Sequence, residues 1–334
     1  MEKKNKKKRK RLKWLRLILF FCIILFLLLT GSSWYMLRYS LKPVNVTAFK
    51  NKNTENFMAE NYPFYVPWMD SLSRTGALCD TVIVNHEGKR LHAYYVKASS
   101  STVRTAVVVH GYTDNALRMM MIGYLYHHDL GYNILLPDLQ FHGDSEGEAI
   151  QMGWKDRLDV LRWMDVANEL FGGRTEMVVH GISMGAATAM MVSGEPQQPY
   201  VKAFVEDCGY TSVWDQFAKE LKEQFHLSPF PVLQIASLFC EWQYGWNFRE
   251  ASALEQVSKC TLPMLFIHGD KDDYVPTWMV KPLYDAKPAP KDIWIAPGSD
   301  HANSYRDHKQ AYTERVARFL DKAFATTADT VVAM

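Results

Sequence analysis

Cysteine is scarce in this chain, with five in 334 residues, at positions 22, 79, 208, 240 and 260. That is too few for a disulfide framework, and the scattered spacing matches no zinc pattern. Cys79, Cys208, Cys240 and Cys260 are able to pair in an oxidising compartment, but buried thiols are the simpler expectation. Surplus charge is missing as well. The formal net charge is +2, and no basic face marks the chain's body as a nucleic-acid partner. No internal repeat is present, and no low-complexity tract beyond the N-terminus. What is there, 48% hydrophobic and 22% charged residues, suffices for one large globular domain with a substantial core.

The small net charge conceals an asymmetry. Residues 1–16 hold ten Lys and Arg against the single Glu2, a balance of +9 that leaves the rest of the chain at −7. Residues 17–37 then carry no charge and are dominated by Leu, Ile and Phe, long enough to cross a bilayer core, which needs about 20 apolar residues. A cleaved signal peptide is the rival reading, since 17–29 is followed by Thr30, Gly31, Ser32 and Ser33. An anchor is favoured because apolar character resumes at 34–37 and no Ala-x-Ala pattern occurs. Lys and Arg before the span hold that end in the cytoplasm and send the C-terminal body across. The expected location is thus the cell membrane, single-pass, with the lipid bilayer as partner of the N-terminal helix and no nucleic acid bound.

Beyond the span, 38–78 is rich in Asn, Lys, Pro and aromatics without clear periodicity and reads as a stalk and lead-in. Residues 81–84 and 90–96 flank a turn containing Gly88 and predict a hairpin. Short, continuously apolar runs at 105–109, 132–137, 177–180, 201–205, 263–267 and 292–296 suit strands buried on both faces. Helical periodicity between them, clearest at 154–171 and 311–324, implies crossover connections and a doubly wound, mostly parallel α/β sheet. One interval breaks the alternation. Residues 211–260 separate two strands by far more than a crossover loop and predict a helical cap insertion with Phe239, Trp242 and other aromatics.

The chemistry-bearing residues fall at strand ends. Gly181-Ile182-Ser183-Met184-Gly185 follows the run 177–180 and precedes a small-residue helix, the strand–turn–helix context of a nucleophile elbow. A serine hydroxyl needs a base to take its proton, and the base needs a third group to fix its tautomer. Downstream, a loop holding Asp270, Asp272 and Asp273 follows 263–267, and His301 follows 292–296. The order Ser, Asp, His is the one that elbow enzymes use. His110-Gly111-Tyr112-Thr113 after 105–109 is placed to supply a second oxyanion donor, making the backbone N–H groups of Tyr112 and Met184 the natural pair. His110, Gly111, Gly181 and Gly185 support these turns. No second ligand at a suitable spacing makes His110 a metal site.

In this combination the chain resembles the α/β-hydrolase superfamily, specifically its serine aminopeptidase-like and monoglyceride-lipase-like bacterial branch. The resemblance covers residues 79 to about 325. It implies Asp272 as the acid, because Gly269, Asp272, Val275 and Pro276 fill the family's Gly-x-x-Asp-x-x-Val-Pro pattern. The stretch from Asp138 to Gly147 looks like the family's Asp-x-Arg-Gly-His-Gly-x-Ser-x-Gly loop, but Gln140 and Phe141 replace the usual Arg and Gly, which bears on local packing. The expected organisation is a basic cytoplasmic tail at 1–16, a transmembrane signal-anchor at 17–37, the stalk at 38–78, an α/β-hydrolase domain at 79–325 with the cap at 211–260, and a tail at 326–334. The expected function is a serine hydrolase of acyl or aryl esters acting outside the cytoplasm without metal or organic cofactor. An aminopeptidase acting on short peptides and a catalytically idle, membrane-tethered interaction module are the alternatives.

Overall fold

Val-, Ile- and Leu-rich segments at 104–109, 133–137 and 176–182 form strands in which nearly every side chain is buried, as a sheet covered on both faces requires. The computed structural model describes residues 2–43 and 52–332. Helices α1 (Glu2–Leu41), α2 (Lys52–Asn61) and α3 (Tyr65–Thr75) precede the hairpin β1 (Cys79–Val84) and β2 (Arg90–Val96). There follow β3 (Arg104–Val109), α4 (Met120–Tyr124), β4 (Asn133–Pro137), α5 (Asp156–Leu170), β5 (Glu176–Ile182), α6 (Met184–Ser193) and β6 (Val201–Asp207). Helices α7 (Val213–Phe225), α8 (Val232–Tyr244) and α9 (Ala253–Val257) separate β6 from β7 (Met264–Gly269). The chain then passes through α10 (Val280–Ala286), β8 (Lys291–Ala296), α11 (Ser304–Asp307) and α12 (Lys309–Val332).

The strands make one eight-stranded sheet in the order β1-β2-β4-β3-β5-β6-β7-β8. Strand β2 runs antiparallel to β1 and β4, and every pairing from β4 onward is parallel. The chain moves outward from β3 to β4 and then returns past it to β5, so the topological switch lies beside β3 and β5. Ligand sites in open α/β sheets form outside the carboxyl ends of strands at such a switch. The loops after β3 and β5 carry Tyr112 and Ser183.

Two segments differ from the sequence expectation. The stalk drawn at 38–78 lies partly outside the described residues, but its second half is helical and packed. Met58, Tyr62, Tyr65, Trp68 and Leu72 are buried in the main core with Val108, Ile134 and Val178. Their spacing of three to four residues is a helical stripe. Pro63 and Pro67 mask it in the sequence, although Pro67 sits in the first turn of α3, where no intrahelical N–H bond is lost. At the other end α12 runs to Val332, so the tail drawn at 326–334 begins as helix, and its side chains lie outside the described residues.

The chain divides into two compact units. Leu41–Gln216 with Phe248–Met334 holds the whole sheet. The flanks of the insertion expected at 211–260 belong to it. They are tied together by Val213 N–H donating to Ala251 O (3.0 Å), Leu254 N–H donating to Thr211 O (2.9 Å) and a bridge between Ser212 and Ser252. The other unit is Met1–Ser40 with Phe217–Asn247. Within it α1 is one continuous helix whose stretch Asn5–Leu41 has an apolar window of mean hydropathy 2.5, none of it buried by protein. This is a single-pass membrane helix by length and composition. Trp34 of α1 meets Phe239 of α8 edge-on at 5.5 Å between ring centroids. No disulfide joins the five cysteines.

Candidate active site

Strand β5 ends in a turn that needs the glycines at 181 and 185 on either side of Ser183. Ser183 has φ 58° and ψ −120°, a conformation that costs an L-residue about 1–3 kcal/mol unless its surroundings impose it. They do. A Cβ on Gly181 would stand 2.0 Å from Gly185 O, and one on Gly185 would stand 2.1 Å from Val109 O, so β3, β5 and α6 close on the turn at distances no other residue permits. The Ser183 N–H donates to Asp207 O (2.8 Å) at the end of β6, and Ser183 O accepts the Ala187 N–H as the first bond of α6.

The loops after β7 and β8 meet this turn. His301 Nε2 lies 2.8 Å from Ser183 Oγ, and His301 Nδ1 lies 2.7 Å from Asp272 Oδ2. A carboxylate beside Nδ1 keeps the proton there, which leaves Nε2 to accept from the serine hydroxyl. The other oxygen of Asp272 accepts the N–H groups of Tyr274 (3.0 Å) and Val275 (2.9 Å). Burial raises the Asp272 carboxyl, but hydrogen bonds to His268 and His301 outweigh it and hold the group at about 2. Of the neighbouring acids, Asp270 is exposed and accepts the Gly298 N–H (2.6 Å), and Asp273 is exposed.

The loop after β3 is shaped by side chains that orient its backbone. A Cβ on Gly111 would lie 3.4 Å from Ser183 Cβ, so this loop stands directly against the serine. His110 donates from Nδ1 to Gly111 O (2.7 Å) and accepts at Nε2 from the Leu139 N–H (2.9 Å). His142 donates from Nδ1 to Gln140 O (2.8 Å) and accepts at Nε2 from the Thr113 N–H (3.2 Å). Burial lowers both imidazoles, His142 to about 3, so each stays neutral and keeps one accepting nitrogen. Met184 opens α6, and a helix leaves its first N–H groups without intrahelical partners.

The departures in the 138–147 loop have a structural account. Gln140 donates its amide to Asp159 Oδ2 (2.7 Å). Phe141 adopts φ 65°, the left-handed conformation that a glycine takes most easily. Asp138 accepts from His92 Nδ1 (2.9 Å) and from the N–H groups of Ala116 (2.8 Å) and Asp144 (3.1 Å). Burial raises the Asp138 carboxyl, but these bonds and the nearby His110 bring it below its ordinary value.

Sequence reading missed a layer beneath the site. His268 donates from Nε2 to Val275 O (2.8 Å), and the same nitrogen is 3.4 Å from Asp272 Oδ2, bracing the loop from below. Burial pushes His268 down, yet Asp272 and the Glu206 carboxylate raise it above its ordinary value. Asp207 accepts from Tyr312 Oη (3.1 Å) and Ser304 Oγ (3.3 Å). Burial lifts the Asp207 carboxyl to about 7 and that of Glu206 to about 8. The available signal was a histidine four residues before an acid at the end of a buried strand. Two clusters among the described residues have metal-ligand composition, Cys208–Asp272–His301 and His92–Asp138–Asp144. In each, the buried carboxylate, Asp272 or Asp138, already accepts the bonds just described.

The model of the prolyl oligopeptidase family matches residues 139–327. An uncharacterized protein of Bacillus subtilis (strain 168), YqkD, is 32% identical over 240 residues, covering 72% of this chain and 78% of its own length. An uncharacterized membrane protein of Saccharomyces cerevisiae, YNL320W, is 23% identical over 220 residues, 66% of this chain and 72% of the yeast protein. Among solved structures, the Pyrococcus furiosus esterase Pf2001 superposes with a TM-score of 0.60 at 21% identity, over 74% of this chain and 91% of that one. The fold is therefore the α/β-hydrolase fold, in agreement with the superfamily resemblance read from the sequence.

Proposed function

We propose, for a chain that belongs to the prolyl oligopeptidase family of α/β-hydrolases and is a hydrolase by that membership, that its reaction is the cleavage of carboxylic acyl or aryl esters through an acyl-enzyme. Ser183 is the nucleophile, His301 the general base, Asp272 the acid that orients it, and the N–H groups of Tyr112 and Met184 the oxyanion donors. The observation that carries this reading is the pair of short hydrogen bonds from Ser183 through His301 to Asp272, 2.8 and 2.7 Å, on a serine held in a strained turn.

In the first half-reaction Ser183 Oγ bonds to the acyl carbon as its proton passes to His301 Nε2, and the carbonyl oxygen takes up negative charge. Two N–H donors aimed at that oxygen stabilise it, each worth roughly 10²–10³ in rate. Collapse breaks the ester C–O bond, and His301 returns the proton to the departing alcohol. Water then repeats both steps and frees the acid and Ser183. The family model favours a second reading, amide bonds of short peptides, which uses the same residues. A catalytically idle, tethered interaction module would need none of these bonds. The basic residues before the span support a cytoplasmic N-terminus and an extracytoplasmic hydrolase domain in the cell membrane.

The test uses the full-length protein. A fluorophosphonate probe is expected to label it and to spare Ser183→Ala, whose turnover should fall by about 10⁴ or more with its melting temperature preserved. Labelling of a folded Ser183→Ala would refute the nucleophile. Values of kcat/KM for acetate through decanoate esters beside unblocked aminoacyl amides decide the bond, and amides preferred over every ester would replace the ester reading by the peptidase. Protease added to intact cells, or to spheroplasts where an outer membrane is present, should digest the domain, and protection until lysis would invert the orientation.

A further inference from the structure

Contacts inside the unit that joins α1 to 217–247 fix the depth of α8. At 1.5 Å per residue the uncharged stretch 17–37 is about 31 Å long, the thickness of a bilayer's hydrocarbon core. Its last turn, with Trp34, Tyr35 and Leu37, therefore lies at the boundary of acyl chains and headgroups. Trp34 is the residue that meets Phe239 of α8. A little more than a turn further on, Tyr39 meets Phe225 of α7 edge-on at 5.8 Å, and its hydroxyl donates to Gln224 Oε1 (3.3 Å). Phe239 is thus held at the level where the span leaves the hydrocarbon.

Phe239 belongs to a stripe. Ile235, Leu238, Phe239 and Trp242 recur at i, i+3, i+4 and i+7 along α8, one helical face. Val232, Leu233, Ala236, Cys240 and Tyr244 supply the buried positions of the same helix. The stripe is uncovered beyond Phe239. Leu238 is 55% exposed, Trp242 78% and Phe230, just before the helix, 77%. Trp242 and Phe230 are the most exposed large apolar side chains among the described residues, ahead of every one in α1, where Trp14 reaches 68%. These two aromatics of the expected cap segment are thus turned to the surroundings.

We infer that this face of α8 docks on the bilayer surface from which the span emerges, with Trp242, Leu238 and Phe230 seated in the headgroup–acyl boundary. Lipid is the occupant because the face is continuous with the membrane-spanning surface and lies at its interfacial depth. Trp is enriched at that depth, and surface helices there bury an apolar side by roughly 5–10 Å. Arg38, in the last turn of α1, adds a basic group where headgroups lie. The inference rests on the spanning reading of α1 and not on the reaction assigned to Ser183.

The test places the full-length chain in nanodiscs of phosphatidylcholine and phosphatidylglycerol. Spin labels are introduced one at a time by Leu238→Cys, Trp242→Cys and, as an aqueous reference, Glu169→Cys on the exposed side of α5. Cys22 and Cys79 are replaced by Ser in these variants, and a fourth sample keeps Cys22 as the mid-span reference. Collision rates with oxygen and with a water-soluble nickel chelate are read for each, beside a circular-dichroism melt. The oxygen-to-nickel ratio at 238 and 242 is expected several-fold above that at 169 and below that at 22. Ratios equal to that at 169 would leave the face in water and overturn the inference. Labels shielded from both reagents would put protein, such as a second copy of the chain, on the face and overturn it equally. A water-like ratio at Cys22 would remove the span itself, a failure distinguishable from the other two and independent of fluorophosphonate labelling.

Discussion

Asp272→Asn tests the role of the acid without moving it. Oδ1 of Asp272 accepts two backbone N–H groups, from Tyr274 and Val275, so an amide at this position must turn its oxygen to them. Its NH₂ then occupies the place of Oδ2 and points at His301 Nδ1, 2.7 Å away. Two donors cannot face each other, so Nδ1 becomes an acceptor and the imidazole proton moves to Nε2. The nitrogen 2.8 Å from Ser183 Oγ is then a donor and no longer takes the serine proton. Loss of the orienting acid with geometry intact costs about 10⁴ in kcat, or about 5 kcal/mol of transition-state stabilisation. The assay is steady-state hydrolysis of a short acyl ester beside the rate of fluorophosphonate labelling, with a thermal melt to show that the loop has held. A folded Asp272→Asn within tenfold of the wild-type rate would refute the assigned role, whatever Ser183 does.

Stability should fall as pH rises past neutrality. Burial lifts the carboxyls of Glu206 to about 8 and of Asp207, Asp156 and Asp114 to about 7, so between their ordinary values near 4 and these values the native state holds protons that the unfolded chain has released. Stability is then lost as pH climbs through that window. His142 and His180, lowered to about 3 by burial, act oppositely only up to about 6.5, where unfolded histidine titrates. The melting temperature should therefore drop between about pH 6.5 and pH 8.5, and Glu206→Gln should shrink the drop; a flat or rising profile in the wild type contradicts the account. Gly185→Ala should destabilise by about 1–3 kcal/mol or more, because the new Cβ meets the backbone oxygens of Val109 and His110; an unchanged melt would show that β3 can yield.

The sheet and the loops at its carboxyl edge were legible because parallel strands buried on both faces leave continuous apolar runs, and five of the six runs here are followed directly by a glycine or a chemistry-bearing residue. The structure brings Ser183, His301 and Asp272 together from three such ends, and Gly111 against Ser183. The packing of 52–75 was not legible. Its stripe of Met58, Tyr62, Tyr65, Trp68 and Leu72 is crossed by two prolines, and a proline inside a periodic pattern is ordinarily a stop signal. The braces were hidden for another reason. Motif spacing places His268, His110 and His142, but which nitrogen of each meets which backbone group is set by side-chain directions that no pattern records. The direction of α8 was hidden likewise, since an aromatic stripe reads the same whether it faces a pocket, a core or a bilayer.

Backbone strain gathers where these loops converge. Of the non-glycine residues with positive φ, Thr113, Phe141, Ser183, Cys208 and Ala302 follow β3, β4, β5, β6 and β8 in turn. At about 1–3 kcal/mol each, such conformations together rival the 5–15 kcal/mol that holds a domain folded, so the packing beneath must impose them. Two substitutions at Ser183 isolate one share of that strain. Alanine and glycine both delete Oγ and its bond to His301, and they differ only in the Cβ that φ 58° opposes. At an unstrained site glycine is the less stable by about 0.5–1 kcal/mol. Here relief of the turn offsets that deficit, so Ser183→Gly should melt at or above Ser183→Ala, by up to a few degrees for a domain of this size. A glycine variant melting below the alanine one by the full ordinary penalty would show that the turn is unstrained and that the serine is presented by its neighbours' packing alone.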